Sequence, residues 1–217
     1  MQADSKHEPQ GLSSLKAGST DSGRVESYYD DWARSYDQTL RSWHYQAPED
    51  AADLLLPHLE PGARVLDVGC GTGLFGEVLS QRANCHLQGI DISAEALKQA
   101  EARGIYGALL RHDLQQVPLP VEAAAHDAAA AIGVLTYIED ADALLRDLCR
   151  CVRSGGLIAF TQRSDRWQEL DFAATVQRLE QAGRWHVLQI SEPRPYLPGH
   201  EDFGEDIGVI HTLCRVT

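Results

Sequence analysis

The sequence predicts an α/β fold: a doubly wound, mostly parallel seven-stranded sheet with a C-terminal antiparallel hairpin. Three observations carry this. An apolar run, Val65, Leu66 and Val68, interrupted only by Asp67, breaks into alternate glycines at Gly69, Gly71 and Gly73. That is the pattern of a buried parallel strand turning sharply into a helix. Strand and helix patterns alternate through five such units along the chain. Two strand-like segments then follow one another with a proline-rich loop between them, which sets the last pair antiparallel.

From the N-terminus, residues 1–22 are rich in Ser, Gly, Lys, Asp and Gln without an apolar period, and read as a mobile tail. The remainder, 23–217, has the length of a single domain with a full core. Its first part, 23–47, crowds aromatics: Tyr28, Trp32, Tyr36 and Leu40 recur at helical spacing, with Tyr29, Trp43 and Tyr45 close by. Pro48 to Leu59 reads as an amphipathic helix stopped by Pro61-Gly62. After the central strand a helix runs to about Gln81, then a strand from His86 to Ile90, with Ser93 placed to cap a helix over Ala94–Arg103. Tyr106–Leu110 is a short strand and Ala128–Ile132 a buried strand of small residues. A helix over Ala141–Val152 ends at Arg153-Ser-Gly-Gly156, with glycine suited to the left-handed C-terminal position. Strand Leu157–Gln162, helix Trp167–Gln181, strand Trp185–Ile190, loop Ser191–Glu205 and strand Ile207–Val216 complete the chain.

A net charge of −13 with no basic run argues against a large nucleic-acid footprint, because phosphate binding needs clustered Lys and Arg. No apolar stretch reaches the ~18 residues of a membrane span, and the polar N-terminus lacks a signal-peptide core. A cytoplasmic protein away from membranes is expected. Among the five cysteines there is no zinc-type double pair, and Cys149 and Cys151 fall on different faces of their helix. Free thiols in a reducing compartment and no metal site are the expectation.

The glycines let the backbone turn tightly and let a ligand lie against it, while the helix after them points free N–H groups toward that ligand. Gly71-x-Gly73-x-x-Gly76 alone fits a dinucleotide fingerprint. Two acids narrow this. A carboxylate at Asp67, facing the turn, suits a positively charged ligand better than a pyrophosphate. Asp91, in Gly89-Ile-Asp-Ile-Ser93, ends the next strand, where an acid accepts both ribose hydroxyls. Asp67-x-Gly69-x-Gly71-x-Gly73 followed by Asp91 resembles motif I and the acidic loop of class I S-adenosylmethionine-dependent methyltransferases, whose fold is Rossmann-like. The helix–Ser-Gly-Gly–strand unit resembles that family's fifth strand element. The resemblance runs from about Val25 to the end. Leu-Asp-Val-Gly-Cys-Gly-Thr-Gly-Leu, Gly-Ile-Asp-Ile-Ser and Pro-Arg-Pro-Tyr196 together are similar to the Williams–Beuren-region methyltransferase-like group.

The resemblance implies S-adenosyl-L-methionine as cofactor and S-adenosyl-L-homocysteine as product. It puts Asp67, Gly69, Gly71 and Gly73 around the methionine part, Asp91 on ribose and Ile92 against the adenine face. Asp113 and Leu114 fall at the adenine edge, and Ile132 and Gly133 beside the sulfonium. Tyr-Asp-Asp-Trp-Ala-Arg-Ser-Tyr-Asp37 looks like the N-terminal lid helix of small-molecule methyltransferases, from which Tyr36 reaches the cofactor.

The expected acceptor is a small molecule methylated by in-line transfer. Such a step needs positioning more than a catalytic side chain, and positioning alone supplies roughly 7–11 kcal/mol. Trp43, Tyr45, Tyr137, Arg163, Tyr196 and His211 are acceptor-side candidates, and His200, in Pro-Gly-His-Glu-Asp, is the candidate general base. The structural alternatives are a surface-loop His200 and an Arg163 paired with Asp165 instead of a substrate carboxylate. Ile132-Gly-Val-Leu135 stands where other methylases carry Asn/Asp-Pro-Pro-aromatic to hold a planar base, and no cysteine follows a proline. With the charge, this argues against DNA. Two other readings stay open: an NAD(P)-dependent oxidoreductase, on the glycine spacing and Asp91, and a non-catalytic S-adenosylmethionine-binding regulator or scaffold.

Overall fold

The computed structural model describes residues 18–201, 203 and 206–217. Most of the expected tail, residues 1–17, lies outside that set, as do Asp202, Gly204 and Glu205 of the late loop. The expected boundary at residue 22 shifts slightly, because Asp21 caps a helix that begins at Ser22, accepting a bond from the Arg24 N–H at 2.9 Å.

One sheet contains β1 (Ala63–Val68), β2 (Cys85–Asp91), β3 (Tyr106–Arg111), β4 (His126–Ala131), β5 (Val152–Arg163), β6 (Trp185–Ile190), β7 (Arg194–Pro195) and β8 (Gly208–Val216). Their order is β3-β2-β1-β4-β5-β8-β6, with β7 also paired to β8. The first five strands are mutually parallel, and β8 runs antiparallel between β5 and β6. This is the expected mostly parallel sheet with its antiparallel hairpin. The sheet has eight strands and not seven, because Arg194 and Pro195, inside the expected loop, pair with Val209 and Gly208.

Strand periodicity sorts the core. Leu66, Val68, Ala129, Ala131, Ile158 and Phe160 pack on one face of the sheet. Val65, Ala128, Ala130, Leu157 and Ala159 pack on the other. The first face is covered by α6 (Ala141–Cys151) and α8 (Phe172–Gln181), the second by α3 (Ala47–Leu55) and α4 (Leu74–Arg82). A third cluster gathers Tyr28, Trp32, Leu40, Trp43, Leu197 and Phe203 above the carboxyl ends of the strands.

Several local expectations are corrected. The single aromatic helix is two, α1 (Ser22–Trp32) and α2 (Tyr36–Ser42), because the Ser35 carbonyl starts a new turn by accepting from the Thr39 N–H at 2.9 Å. The helix expected to reach Leu59 ends at Leu55 and tightens into a 3-10 turn, Leu56–His58, since Pro57 has no N–H to donate. The helix over Trp167–Gln181 is α7 (Ser164–Glu169) and α8, separated by Asp171 at φ 44°, a left-handed geometry that Asp tolerates. Gly155 and Gly156 do not cap α6. They lie inside β5, which begins at Val152, where a Cβ on Gly156 would stand 2.6 Å from the Asp127 carbonyl of the neighbouring strand.

Candidate functional site

The carboxyl ends of β1, β2 and β4 open onto one cavity of about 730 Å³. Its floor is the turn after β1. Gly69, Gly71 and Gly73 all have positive φ, at 70°, 52° and 90°. Only glycine fits at 69, where a Cβ would stand 2.3 Å from Val134 Cγ2. At Gly71 a Cβ would meet nothing within 4 Å, so that backbone faces open space. Gly73 is the left-handed residue that starts α4.

Asp91, at the end of β2, braces this turn. Its two carboxylate oxygens accept from the Gly71 N–H and the Ser93 N–H, both at 2.8 Å. Ser93 caps α5 (Ala94–Ala102) by accepting from the Ala96 N–H at 3.0 Å. Its hydroxyl donates to Asp30 of α1 at 2.6 Å, and the Glu95 N–H donates to the same Asp30 oxygen at 3.1 Å. The roof is tied down from a second point: the Thr72 hydroxyl donates to Asp37 of α2 at 2.5 Å, and Arg103 pairs with Asp37 while donating to the Thr72 carbonyl. α1 is thereby held over the cavity.

Of the residues expected at the cofactor, Tyr36, Gly69, Gly71, Asp91, Ile92, Asp113, Leu114, Ile132 and Gly133 all line this cavity. Asp113 accepts from the Gln115 N–H at 3.0 Å, and the Gly133 N–H donates to Thr161 Oγ at 2.8 Å. Asp67 lines a smaller adjoining cavity of about 360 Å³ that shares Tyr36, Gly69, Gly71, Thr72 and Ile132 with the first. It is buried, and burial pushes its carboxyl up to about 7, opposed by a 2.6 Å bond from the Tyr106 hydroxyl. Gly73 lines neither cavity and serves the turn. The only charged side chains lining the main cavity, among the described residues, are Asp91 and Asp113.

The acceptor-side candidates divide. Tyr137 lines the main cavity, its ring 5.8 Å from Tyr29, and Tyr45 lines the smaller one. Tyr196 packs edge-on against Tyr45 at 5.7 Å. Trp43 and His200 do not reach either cavity. They meet edge-on at 4.4 Å within the aromatic cluster, and His200 is buried there against Phe203 instead of lying on a surface loop. Arg163 pairs with Asp165 and lies over the Phe203 ring at 5.2 Å, the structural alternative drawn from the sequence. His211 is in mid-strand opposite Thr161, and burial lowers its pKa.

Sequence reasoning missed Val25 and Tyr29 of α1 and Ala33 at its C-terminal cap, a second stripe that lines the cavity. Their spacing of four was the available signal, hidden by the more aromatic stripe of Tyr28 and Trp32 beside it. Gln115 was also missed; its amide donates to the Tyr137 and Thr20 carbonyls, joining the loop after β3 to the roof.

Residues 66–160 match a methyltransferase-domain family. The chain is 37% identical over 168 residues to methyltransferase-like protein 27 of Homo sapiens, a match covering 74% of this chain and 68% of that one. The chain belongs to the class I S-adenosylmethionine-dependent methyltransferases. It is also 34% identical over 120 residues to the 18S rRNA (guanine(1575)-N(7))-methyltransferase of Saccharomyces cerevisiae, with 55% of this chain and 43% of that one covered. Against a malonyl-[acyl-carrier protein] O-methyltransferase of Serratia marcescens it is 34% identical over 119 residues, with 51% and 46% covered. The chain thus spans under half the length of those two relatives. In fold it is similar to the magnesium protoporphyrin IX methyltransferase of Synechocystis with bound S-adenosylmethionine, at a TM-score of 0.68 and 18% identity, covering 91% of this chain and 97% of that one. Membership in this methyltransferase class sets aside the nicotinamide reading. Within it, the residues present fit the cofactor: an open glycine backbone and an all-acidic charge set for a cationic ligand.

Proposed function

We propose that the chain transfers a methyl group from S-adenosylmethionine to a small-molecule acceptor, and that the cavity above Gly69–Gly73 is where the cofactor binds. The observation that carries the reading is the acid-only charge of the cavity lining. A pyrophosphate would meet Asp91 there without a compensating cation, whereas a sulfonium and an ammonium gain from the same field. The cofactor, when bound, supplies a methyl group activated on sulfur. The chain's own residues bind, orient and exclude water. Asp91 takes the ribose hydroxyls, Ile92 lies against the adenine face, and Asp113 and Leu114 meet its edge. Gly71 offers bare backbone, Tyr36 reaches the cofactor, and Tyr137 stands on the acceptor side with Tyr29 beside it. Burial raises Tyr29 and Tyr36 well above the ordinary phenol range, so they act as neutral donors and not as bases. An aromatic enclosure roofed by α1 suits a compact acceptor. The five free cysteines support a reducing, cytoplasmic location; among the described residues no helix is long and apolar enough to cross a membrane.

Titration calorimetry with S-adenosylmethionine, S-adenosylhomocysteine and NADH tests the cofactor. Micromolar binding of the first two with NADH silent is expected, and binding of NADH alone would overturn the site. Methyl-tritiated cofactor incubated with a cell extract tests the acceptor: label is expected in the small-molecule fraction, and label confined to RNA would replace that acceptor class.

A pH dependence follows from Asp67. With its carboxyl raised to about 7, it is largely protonated in acid and ionised above neutrality. A cationic ligand favours the ionised form, so affinity rises with pH through about 7 and then levels. At about pH 6 binding is roughly tenfold weaker than the plateau and releases close to one proton. Calorimetry in buffers of different ionisation enthalpy reads both quantities. An affinity flat between about pH 6 and about pH 7.5 removes Asp67 from the ligand's surroundings.

A further inference from the structure

Tyr106 stands at the start of β3, two strands away from Asp67, yet its hydroxyl reaches the Asp67 carboxylate at 2.6 Å. Three glycines make the path. Gly89 of β2 sits in register opposite Asp67, and a Cβ there would lie 3.2 Å from the Tyr106 ring. A Cβ on Gly76, in the first turn of α4, would fall 2.2 Å from the Tyr106 hydroxyl, and one on Gly73 3.0 Å from the ring. Any side chain at 76 or 89 displaces the ring or its neighbours. Arg103, which pairs with Asp37 and Glu77, borders the same space, its Cδ 3.1 Å from where a Cβ on Gly73 would stand.

We propose that Tyr106 is a positioning residue for the cofactor site: its hydroxyl, threaded across β2 through the space left by Gly73, Gly76 and Gly89, holds the Asp67 carboxylate fixed at the wall beside Gly69 and Gly71. The inference rests on the cofactor-site reading above. Its chemistry is a charge-assisted bond to a buried acid. The groups facing Asp67 are few. Asp91 on β2 opposes its ionisation, as burial does, while the Gly76 N–H of α4 and the Tyr106 hydroxyl favour it. Cys70, in the turn, is a neutral thiol pushed well above its usual range, and Tyr36 and Tyr45 share the small cavity as neutral hydroxyls. Of these, Tyr106 gives the side-chain bond that sets both the orientation of the carboxylate and the pH at which it ionises. Gly76 thus has a second reason to be glycine, independent of the turn: it leaves room for a phenol.

Tyr106→Phe keeps the ring and removes the hydroxyl. In the ligand-free protein the Asp67 titration, read by carboxyl-carbon NMR, is expected to move up by about one pH unit. S-adenosylhomocysteine affinity near pH 7 should weaken about five- to tenfold, with the affinity–pH midpoint moving up in step. In an Asp67→Asn background the same substitution should change neither affinity nor its pH dependence, because the two residues act as one unit. A thermal midpoint recorded alongside separates lost packing from lost positioning. Wild-type titration and affinity in Tyr106→Phe, with Asp67→Asn weakened, overturn the role of Tyr106 alone. Wild-type affinity in both variants overturns the placement of the cofactor, while the NMR midpoint still reports on the bond itself.

Discussion

Gly71→Arg is expected to abolish S-adenosylmethionine binding in calorimetry and to leave a folded, cooperatively melting protein. The two halves of the prediction rest on different features of one position. A Cβ at Gly71 meets no atom within 4 Å, so the backbone admits a side chain without a clash. The φ of 52° makes a non-glycine residue cost about 1–2 kcal/mol, equivalent to a melting temperature lower by roughly 2–8 °C in a domain of this size. The arginine then has one place to go, the cavity above the turn, where Asp91 and Asp113 are waiting carboxylates. It fills the ligand's space and neutralises the field that favours a cation. The neighbouring glycine behaves differently. At Gly69 a Cβ would stand 2.3 Å from Val134 Cγ2, so a substitution there perturbs packing and cannot separate binding from folding. Unchanged affinity in Gly71→Arg would place the cofactor elsewhere in the molecule.

What the sequence made legible was local. The strand into Gly69-x-Gly71-x-Gly73 shows in the residues because both its apolar run and its positive-φ requirement lie within one short stretch. The doubly wound class followed from the alternation of strand and helix patterns, and the antiparallel end from two strands in succession, whereas the order of the strands is visible only in the folded sheet. Asp91 could be placed at a strand end from the same kind of signal. Its bonds to the Gly71 and Ser93 amides could not, since they depend on β1 and β2 being adjacent. The pins that hold α1 and α2 over the cavity, Asp30 to Ser93 and Asp37 to Thr72 and Arg103, join residues far apart in sequence and leave no periodic trace. The same holds for Tyr106 and Asp67. The break between α7 and α8 escaped notice because it takes only two residues, Leu170 and Asp171, and nothing in Glu169-Leu-Asp-Phe172 signals a stop. His200 follows Pro198-Gly199, a turn signal that reads as surface, yet the aromatic cluster of Trp43 and Phe203 draws it inward.

Asp91→Ala is expected to weaken S-adenosylmethionine binding by about 100-fold or more, near 3 kcal/mol, with a smaller loss of stability. From the sequence the acid had one task, the ribose hydroxyls; the structure gives it a second. Each carboxylate oxygen already accepts a backbone N–H, from Gly71 on one side and Ser93 on the other. A carboxylate has about four lone-pair sites, so Asp91 can hold the turn and still accept from the ribose proposed for it. At the proposed cofactor site, removing the side chain withdraws the ribose contacts and also releases the Gly71 backbone, and the two losses compound. Stability suffers less. Asp91 is buried and burial raises its carboxyl pKa, so an apolar replacement recovers desolvation even as it leaves two amides without their acceptor. Asp91→Asn separates the tasks. The amide keeps the shape but offers one acceptor oxygen, so one of the two N–H groups must face an NH₂ donor. Faster hydrogen exchange at the Gly71 amide with affinity between Asp and Ala is the expected outcome. Full affinity in Asp91→Ala would remove the ribose role, and lost affinity with unaltered exchange at Gly71 and Ser93 would confine Asp91 to the ligand.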